Sequence, residues 1–294
     1  MDGLIVVDKP QGWTSHDVVN RLRRLLNLRS VGHLGTLDPM ATGVLPAMIG
    51  RATRLARFFQ QSDKVYEGTI RFGFSTDTYD AEGTPSSANV EINFDAAQLE
   101  PVLARFRGKI SQVPPAVSAK KVGGTRAYKL ARRNIEVHLN PVDVEIFSLD
   151  LLDTPGSEAR VRIHCSAGTY IRSIAHDVGV ALGCGAHLSA LRRTRSGSFH
   201  SGMAHTLEEL DTMAREGRIA DALVPAADLL PEFPIERVDD STAVFIRQGR
   251  DFRVSPFGVT QGTRFVKAVS QTGDLIAIGE AKLPHLYHPI LVLS

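Results

Sequence analysis

From Ser30 to Ile49 the chain carries one formal charge, on Asp38, in a stretch punctuated by Gly32, Gly35 and Gly43. Glycines at such spacing let backbone approach a ligand closely, and Pro39 pushes Asp38 out of the helical region into an extended or turn conformation. A carboxylate pinned there among mostly uncharged neighbours suits a nucleophile or general base, provided something nearby stabilises its ionised form. The plain alternative is a turn cap, since Asp-Pro is a common turn pair. No Gly-Lys-Ser/Thr follows the glycines, which sets aside a phosphate-cradling loop.

Around this segment the periodicities alternate between strand and helix. Gly3 to Asp8 reads as a short apolar strand, and Thr14 or Ser15 caps a helix whose apolar face is Val18, Val19, Leu22, Leu25 and Leu26, with Asp17 in a capping-box position. Arg51 to Phe59 reads as a short helix. Lys64 to Phe74 alternates as a half-buried strand with Tyr66, Ile70 and Phe72 on one face. A helix near Asp95 to Arg107 precedes Val113-Pro114-Pro115, where regular structure breaks, and Thr125 to Arg133 has the spacing of an arm helix. Strands follow near Val142–Leu152 and Ala159–Cys165, then an amphipathic helix from Thr169 to Leu182 and a Thr206/Glu209 capping box. Val224 to Pro234 reads as a linker, and the remainder is strand-like and turn-rich. The expectation is an α+β chain: a mixed-sheet domain, a basic arm inserted into it, and a small β-rich C-terminal domain.

Composition bounds the function classes. The longest stretch without formal charge, Val178 to Leu191, is 14 residues and too short for a membrane span, and no signal region opens the chain, so a cytoplasmic protein is expected. Cys165 and Cys184 make neither a disulfide framework nor, with the scattered histidines, a metal site; both read as buried, reduced thiols. Net charge is only +2, yet residues 101–140 hold nine Lys or Arg against one acid, while 201–240 hold ten acids against three basics. That segregation fits either a strong local positive field or a solvated basic helix.

Two further residues stand out. If Thr169 caps its helix, Arg172 occupies the first turn, at the end of the dipole that disfavours a cation, so an acidic partner is expected there. Otherwise Arg172 is exposed and packs by its stem. Tyr66 lies at the start of its strand, as core or as a ring lining a cleft edge that stacks on a base and offers a phenol for proton transfer. Tyr170 and Leu191 read as core unless context says otherwise.

Gly32-His33-Leu34-Gly35-Thr36-Leu37-Asp38-Pro39, followed by Ala41-Thr42-Gly43-Val44-Leu45-Pro46, resembles the catalytic motif of the TruB family of tRNA pseudouridine synthases. So do Asp8-Lys9-Pro10 with Gly12, Thr14 and Ser15, the stretch Lys64 to Gly68, and Cys165-Ser166-Ala167-Gly168-Thr169-Tyr170-Ile171-Arg172-Ser173, in the family's order from the start to about residue 200. The resemblance implies a pseudouridine synthase fold: a central mixed, largely antiparallel sheet flanked by helices, over residues 1–232, with an RNA-gripping insertion at about 113–142. A PUA-like domain over 233–294 is implied more weakly. It implies isomerisation of uridine to pseudouridine in the T-loop of tRNA, position 55, by base flipping, attack by Asp38, uracil rotation and formation of a carbon–carbon glycosidic bond. No cofactor or metal is implied. Asp38 would pair with Arg172, Tyr66 would stack on the flipped base, and His33 would pack against RNA. Lys9 and Pro10 would support the active-site loop, and Tyr170 and Leu191 would wall the pocket. Lys120, Lys121, Arg126 and Lys129 would meet RNA backbone.

The sequence departs from the family at Val117, where many relatives carry an aromatic residue, and at Ala167, where lysine is common. A different class, a tRNA-binding or tRNA-folding protein that keeps the fold without turnover, is set against the enzyme; an intact Asp38, Tyr66 and Arg172 favour catalysis. A metal-dependent nuclease would need clustered carboxylates or histidines. The basic insertion at 113–142 favours a stand-alone enzyme without an obligate protein partner over a member of a guide-RNA complex, and a monomer is the default expectation.

Overall fold

The computed structural model describes residues 1–117, 121–122, 125–126, 139–256, 258–260 and 262–293. Apolar runs buried on both faces begin the main sheet: β1 (Gly3–Lys9) pairs antiparallel with β3 (Thr42–Ile49), which also pairs with the short β2 (Val31–His33). β4 (Lys64–Phe72) buries Tyr66, Gly68, Ile70 and Phe72 on one side, as its alternation requires. The sheet continues with β5 (Gly108–Gln112), β8 (Val142–Asp153), β9 (Glu158–Cys165), β10 (Ala186–Ser196), β11 (Phe199–His200) and β12 (Val224–Pro225), while β6 (Lys121–Val122) and β7 (Thr125–Arg126) form a separate hairpin.

The strand order is β12-β1-β3-β10-β4-β9-β8-β5, with β2 on β3 and β11 on β10. Among the described residues β3–β10 is the parallel pairing in an otherwise antiparallel sheet, so the expected mixed, largely antiparallel architecture is present. The contact is short, with Arg192 and Arg193 opposite Thr42 and Gly43. Gly43 has φ +98°, and a Cβ on it would lie 2.2 Å from the Arg193 carbonyl oxygen. Glycine is what lets the strands on either side of this seam approach.

Four helices cover one face: α1 (Ser15–Leu25), α2 (Ala96–Ala104), α3 (Ile171–Ala181) and α4 (Leu207–Arg215), whose Val18, Leu22, Leu99, Leu103, Ile174, Val178 and Leu210 join one core with the sheet. Thr14 caps α1 and Thr206 caps α4, each through a capping box. The opposite side chains of β1 and β3, Leu4, Val6, Val44 and Met48, share a second core with Val269, Leu275, Ile278, Leu291 and Leu293 of the C-terminal sheet. That sheet comprises β13 (Ile235–Val238), β14 (Phe252–Arg253), β15 (Phe265–Ser270), β16 (Leu275–Leu283) and β17 (Leu286–Val292), with α5 (Asp240–Arg247) against it.

Three expectations need correction. Thr125 and Arg126 pair as strand with Val122 and Lys121 rather than opening a helix, a pairing that sets the β-branched Val122 and Thr125 opposite each other; the rest of the expected helix, to Arg133, lies outside the described residues. Gly50–Phe59 is wound as 3-10 turns. Val224 and Pro225, read as part of a linker, instead pair with Leu4 and Gly3 as the edge of the main sheet, a position that tolerates proline's missing N–H. No helix among the described residues is long and apolar enough to cross a membrane.

Lys267 of β15 is buried, and its ammonium donates to the carbonyls of Ala227 and Leu229 at 2.8 and 3.0 Å, tying the second sheet to the segment that leaves the first. Substituting methionine keeps the stem and strands two buried carbonyls. We expect Lys267→Met to lower stability by about 2 kcal/mol, read from the urea midpoint at unchanged m-value.

Candidate active site

The Asp38 loop is tied down on both sides. The Ser15 hydroxyl, at the start of α1, accepts from the Leu37 N–H at 2.8 Å and donates to the Leu37 carbonyl at 3.1 Å. On the other side the Pro39 carbonyl accepts from the Gly12 N–H at 2.8 Å and from the Lys9 ammonium at 3.3 Å. Lys9 is 0% exposed and also donates to the carbonyls of Pro10 and Trp13. It therefore braces the loop from below, with its ammonium among loop carbonyls, rather than offering a substrate contact in this structure; Pro10 contributes a carbonyl to that brace. Burial drops the Lys9 pKa to about 8, opposed by the nearby Asp38 charge.

Asp38 keeps 37% of its side chain exposed, towards a cavity of about 310 Å³. The cavity is walled by Tyr66 and Lys64 from β4, Leu191 and Arg193 from β10, and Ala167 to Arg172 from the β9–α3 turn. The expected wall residues Tyr170 and Leu191 are in place. His33 lies in an adjoining pocket that shares Gly35, Gln60 and Lys64 with the cavity. Lys120 and Lys129 fall outside the described residues, and Lys121 faces Arg126 across the β6–β7 hairpin.

Arg172 sits in the first turn of α3 and is 5% exposed. Its Nε meets Asp38 Oδ2 at 2.9 Å and its Nη1 meets Asp80 Oδ2 at 3.2 Å. Nη1 also donates to the Thr78 carbonyl at 3.0 Å, and Nη2 to the Val117 carbonyl at 2.9 Å. The expected acidic partner is thus present, but the planar fork is divided between two carboxylates instead of clasping Asp38 alone. Divided in this way, it matches one buried cation to two anions and gives two of the three remaining N–H groups a carbonyl, which is what makes such burial tolerable. Because the contact at Val117 is made by its backbone, the departure from an aromatic side chain leaves it intact.

The helix begins differently from expectation. Its N-cap is Tyr170, with no side-chain cap, while the Thr169 hydroxyl donates to the Ser166 carbonyl. The side-chain amide of buried Gln112 clasps the N-cap residue instead, accepting from the Tyr170 N–H at 3.0 Å and donating to its carbonyl at 3.1 Å. Ser173 donates to the Val113 carbonyl at 2.8 Å. The end of β5 and the residue after it are therefore sewn to the start of α3.

Burial pushes the Asp38 carboxyl above the ordinary aspartate value of 3.8, Arg172 pulls it back, and Asp80 pushes it further up. Burial likewise raises the Tyr66 phenol, against a hydrogen bond and charge from Arg193 opposite it in the β4–β10 register. Arg193 itself is buried and donates to the carbonyls of Val44 at 2.7 Å and Gly35 at 3.1 Å. Asp80, Arg193 and Gln112 were not singled out from the sequence. Asp80 lies in an acidic, glycine-ended loop that reads as a surface turn, and Arg193 in a strand that composition alone does not mark.

A model of the TruB family pseudouridylate synthase N-terminal domain matches residues 23–171, and the tRNA pseudouridylate synthase B C-terminal domain matches 172–230. The chain is 59% identical, over 100% of both chains, to tRNA pseudouridine synthase B of Solibacter usitatus. The chain belongs to the TruB family of pseudouridine synthases. Another relative, tRNA pseudouridine synthase B of Syntrophotalea carbinolica, is 47% identical over 80% of this chain and 76% of its own. Among solved structures, a Cbf5-Nop10-Gar1 complex matches with a TM-score of 0.72 at 27% identity, covering 99% of this chain and 85% of that one. The archaeal box H/ACA sRNP Nop10-Cbf5 complex gives 0.70 at 26%, covering 99% and 86%.

A reaction of this family that needs the Asp38 carboxylate ionised loses rate on acidification, and with the carboxyl raised that loss sets in above the pH of an ordinary aspartate. Asp80→Asn removes one group that raises it, so the acid limb of kcat/KM moves to lower pH; parallel pH–rate profiles of the two proteins check this.

Proposed function

We propose that this chain isomerises uridine to pseudouridine in the T-loop of tRNA, at position 55. The observation that carries the reading is a fixed, cavity-facing carboxylate, Asp38, held against a buried arginine in a cavity also lined by the buried Tyr66. The names of its relatives support tRNA as the substrate. A base paired or stacked in RNA cannot reach such a carboxylate, so the target nucleotide must be flipped into the cavity, whose volume is at the low end of the roughly 300–1,000 Å³ of ligand pockets.

Asp38 attacks the nucleoside, and the N1–C1′ bond breaks. The detached uracil turns, C5 bonds to C1′, the bond formed to Asp38 breaks so that the carboxylate is restored, and the proton on C5 departs while N1 gains one. Nothing is oxidised or reduced and no group leaves, so the balance requires no cofactor or metal. Arg172 fixes the carboxylate's position and favours its charged form, and Tyr66 stacks on the ring and is placed to take the C5 proton, with Arg193 easing ionisation of the phenol. Tyr170 and Leu191 confine the ring, and His33 packs against the opened loop from the adjoining pocket. Lys9 and Pro10 keep the Asp38 loop in place.

On this reading residues 1–232 are the catalytic part, the insertion at about 113–142 grips RNA through Lys120, Lys121, Arg126 and Lys129, and 233–294 is a PUA-like domain. The chain works as a monomer in the cytoplasm, without an obligate protein partner.

Two measurements test the proposal. Tritium release from carbon-5-labelled uridine in an unmodified tRNA transcript should occur with no cofactor or metal added, and Asp38→Asn should abolish it while tRNA binding stays within severalfold. Turnover preserved in Asp38→Asn sinks the nucleophile assignment. Replacing Lys120, Lys121, Arg126 and Lys129 with glutamine should flatten the dependence of log Kd on log salt by up to about 3 units, near 0.7–0.9 per lost phosphate contact. An unchanged slope means the insertion does not hold phosphate.

A further inference from the structure

One turn beyond Arg172 on α3 lies His176, and the helical spacing puts both side chains on the same face. They grip consecutive residues of the loop that crosses the start of β10: Arg172 holds Asp80, and the His176 ring stacks on Tyr79 with centroids 3.8 Å apart and planes 12° from parallel. Consecutive side chains of an extended segment point to opposite sides, so this double grip needs a local reversal. Tyr79 supplies it with φ +64°, a left-handed conformation that a bulky residue rarely adopts and that persists only where its surroundings hold it. The Tyr79 carbonyl accepts from the Leu188 N–H at 3.0 Å, which anchors the turn to β10 as well.

Nδ1 of His176 is buried with no hydrogen-bond partner among the described residues. A buried lone pair left alone is tolerable, whereas a buried N–H⁺ is much less so, and the stacked ring is accordingly the neutral imidazole. The ionisable groups facing it are Asp177 on its own helix and the Tyr79 phenol from the loop; burial lowers the imidazole pKa against the pull of Asp177.

We propose that His176 is a positioning residue of the reaction: by stacking on Tyr79 it holds Asp80 against Arg172 and so sets the angle at which the guanidinium meets Asp38. The inference rests on Asp38 being the reacting carboxylate. Without the stack the turn at Tyr79 is free to relax, Asp80 swings from Nη1, and the guanidinium rotates on its remaining carbonyl contacts.

The test uses His176→Ala, His176→Phe and Tyr79→Gly in the full chain, with unmodified tRNA transcript. His176→Ala should lower kcat about tenfold with KM within about twofold, and should shift the acid limb of the pH profile, since the Asp80 charge no longer sits where it did. His176→Phe, which stacks without a titratable nitrogen, should regain most of that loss. Tyr79→Gly suits the left-handed backbone while removing the ring, so it keeps the fold and should lose kcat as His176→Ala does; the double variant should be no worse than either. Wild-type kcat in His176→Ala, or in Tyr79→Gly should His176→Ala not fold, overturns the proposal, and so does a His176→Phe no better than alanine. Activity persisting in Asp38→Asn would instead overturn the reading beneath it, and an inactive Asp38→Asn beside a fully active His176→Ala removes only the positioning role.

Discussion

A single buried guanidinium organises the centre of this molecule. Arg172 is almost wholly removed from water, and an isolated cation there would be strongly unfavourable. It is tolerated because Asp38, Asp80 and the carbonyls of Thr78 and Val117 converge on it from three separate segments. Each partner is in turn held by something else: Asp38 by the Ser15, Gly12 and Lys9 contacts to its neighbours, Asp80 by Thr78 and the Glu82 N–H, and Val117 by the segment after β5, which is sewn to α3. Satisfying one charge therefore specifies where the Asp38 loop, the acidic loop and the segment after β5 lie relative to one helix end.

The sheet supplies the frame for that convergence. β10 lies between β3 and β4, and its short parallel contact with β3 brings the end of the Asp38 segment beside Arg193, directly opposite Tyr66. Carboxylate and phenol consequently come from the loop before β3 and from β4, and those two strands do not pair with each other but are bridged by β10. The polar groups around the cavity divide into an Asp38–Arg172–Asp80 end, with two carboxylates to one cation, and a Tyr66–Arg193 end, with one cation beside a phenol that burial keeps protonated, so the two ends carry opposite formal charge.

The parts of this arrangement that were legible in the sequence are those whose cause is local. Asp38 stands out because glycines and a proline constrain its own backbone, and Arg172 because a cation at a helix N-terminus requires an explanation within one turn. Asp80 and Arg193 were invisible because what distinguishes them is burial created by partners more than 90 residues away for Asp80 and about 150 for Arg193. Lys9 was legible as a loop support, but its complete burial follows from the antiparallel pairing of β1 with β3 and is not a property of its neighbours in sequence. The start of the expected helix, at Thr125 and Arg126, was misplaced for the same reason, since their strand state depends on pairing with Lys121 and Val122 and not on their own amphipathic spacing.

The second core has a consequence for how the chain can vary. Leu4, Val6, Val44 and Met48 project from the back of the same two strands whose front carries the brace and the end of the catalytic segment, and the C-terminal sheet covers them. That small sheet is thus a backing plate for the active site. A shortened descendant could not simply shed it: several apolar positions behind the catalytic loop would have to turn polar together, while the alternate residues on the same strands stayed as they are. Loss of the small sheet and retention of the Asp38 loop are coupled through four side chains buried on the far side of the strands.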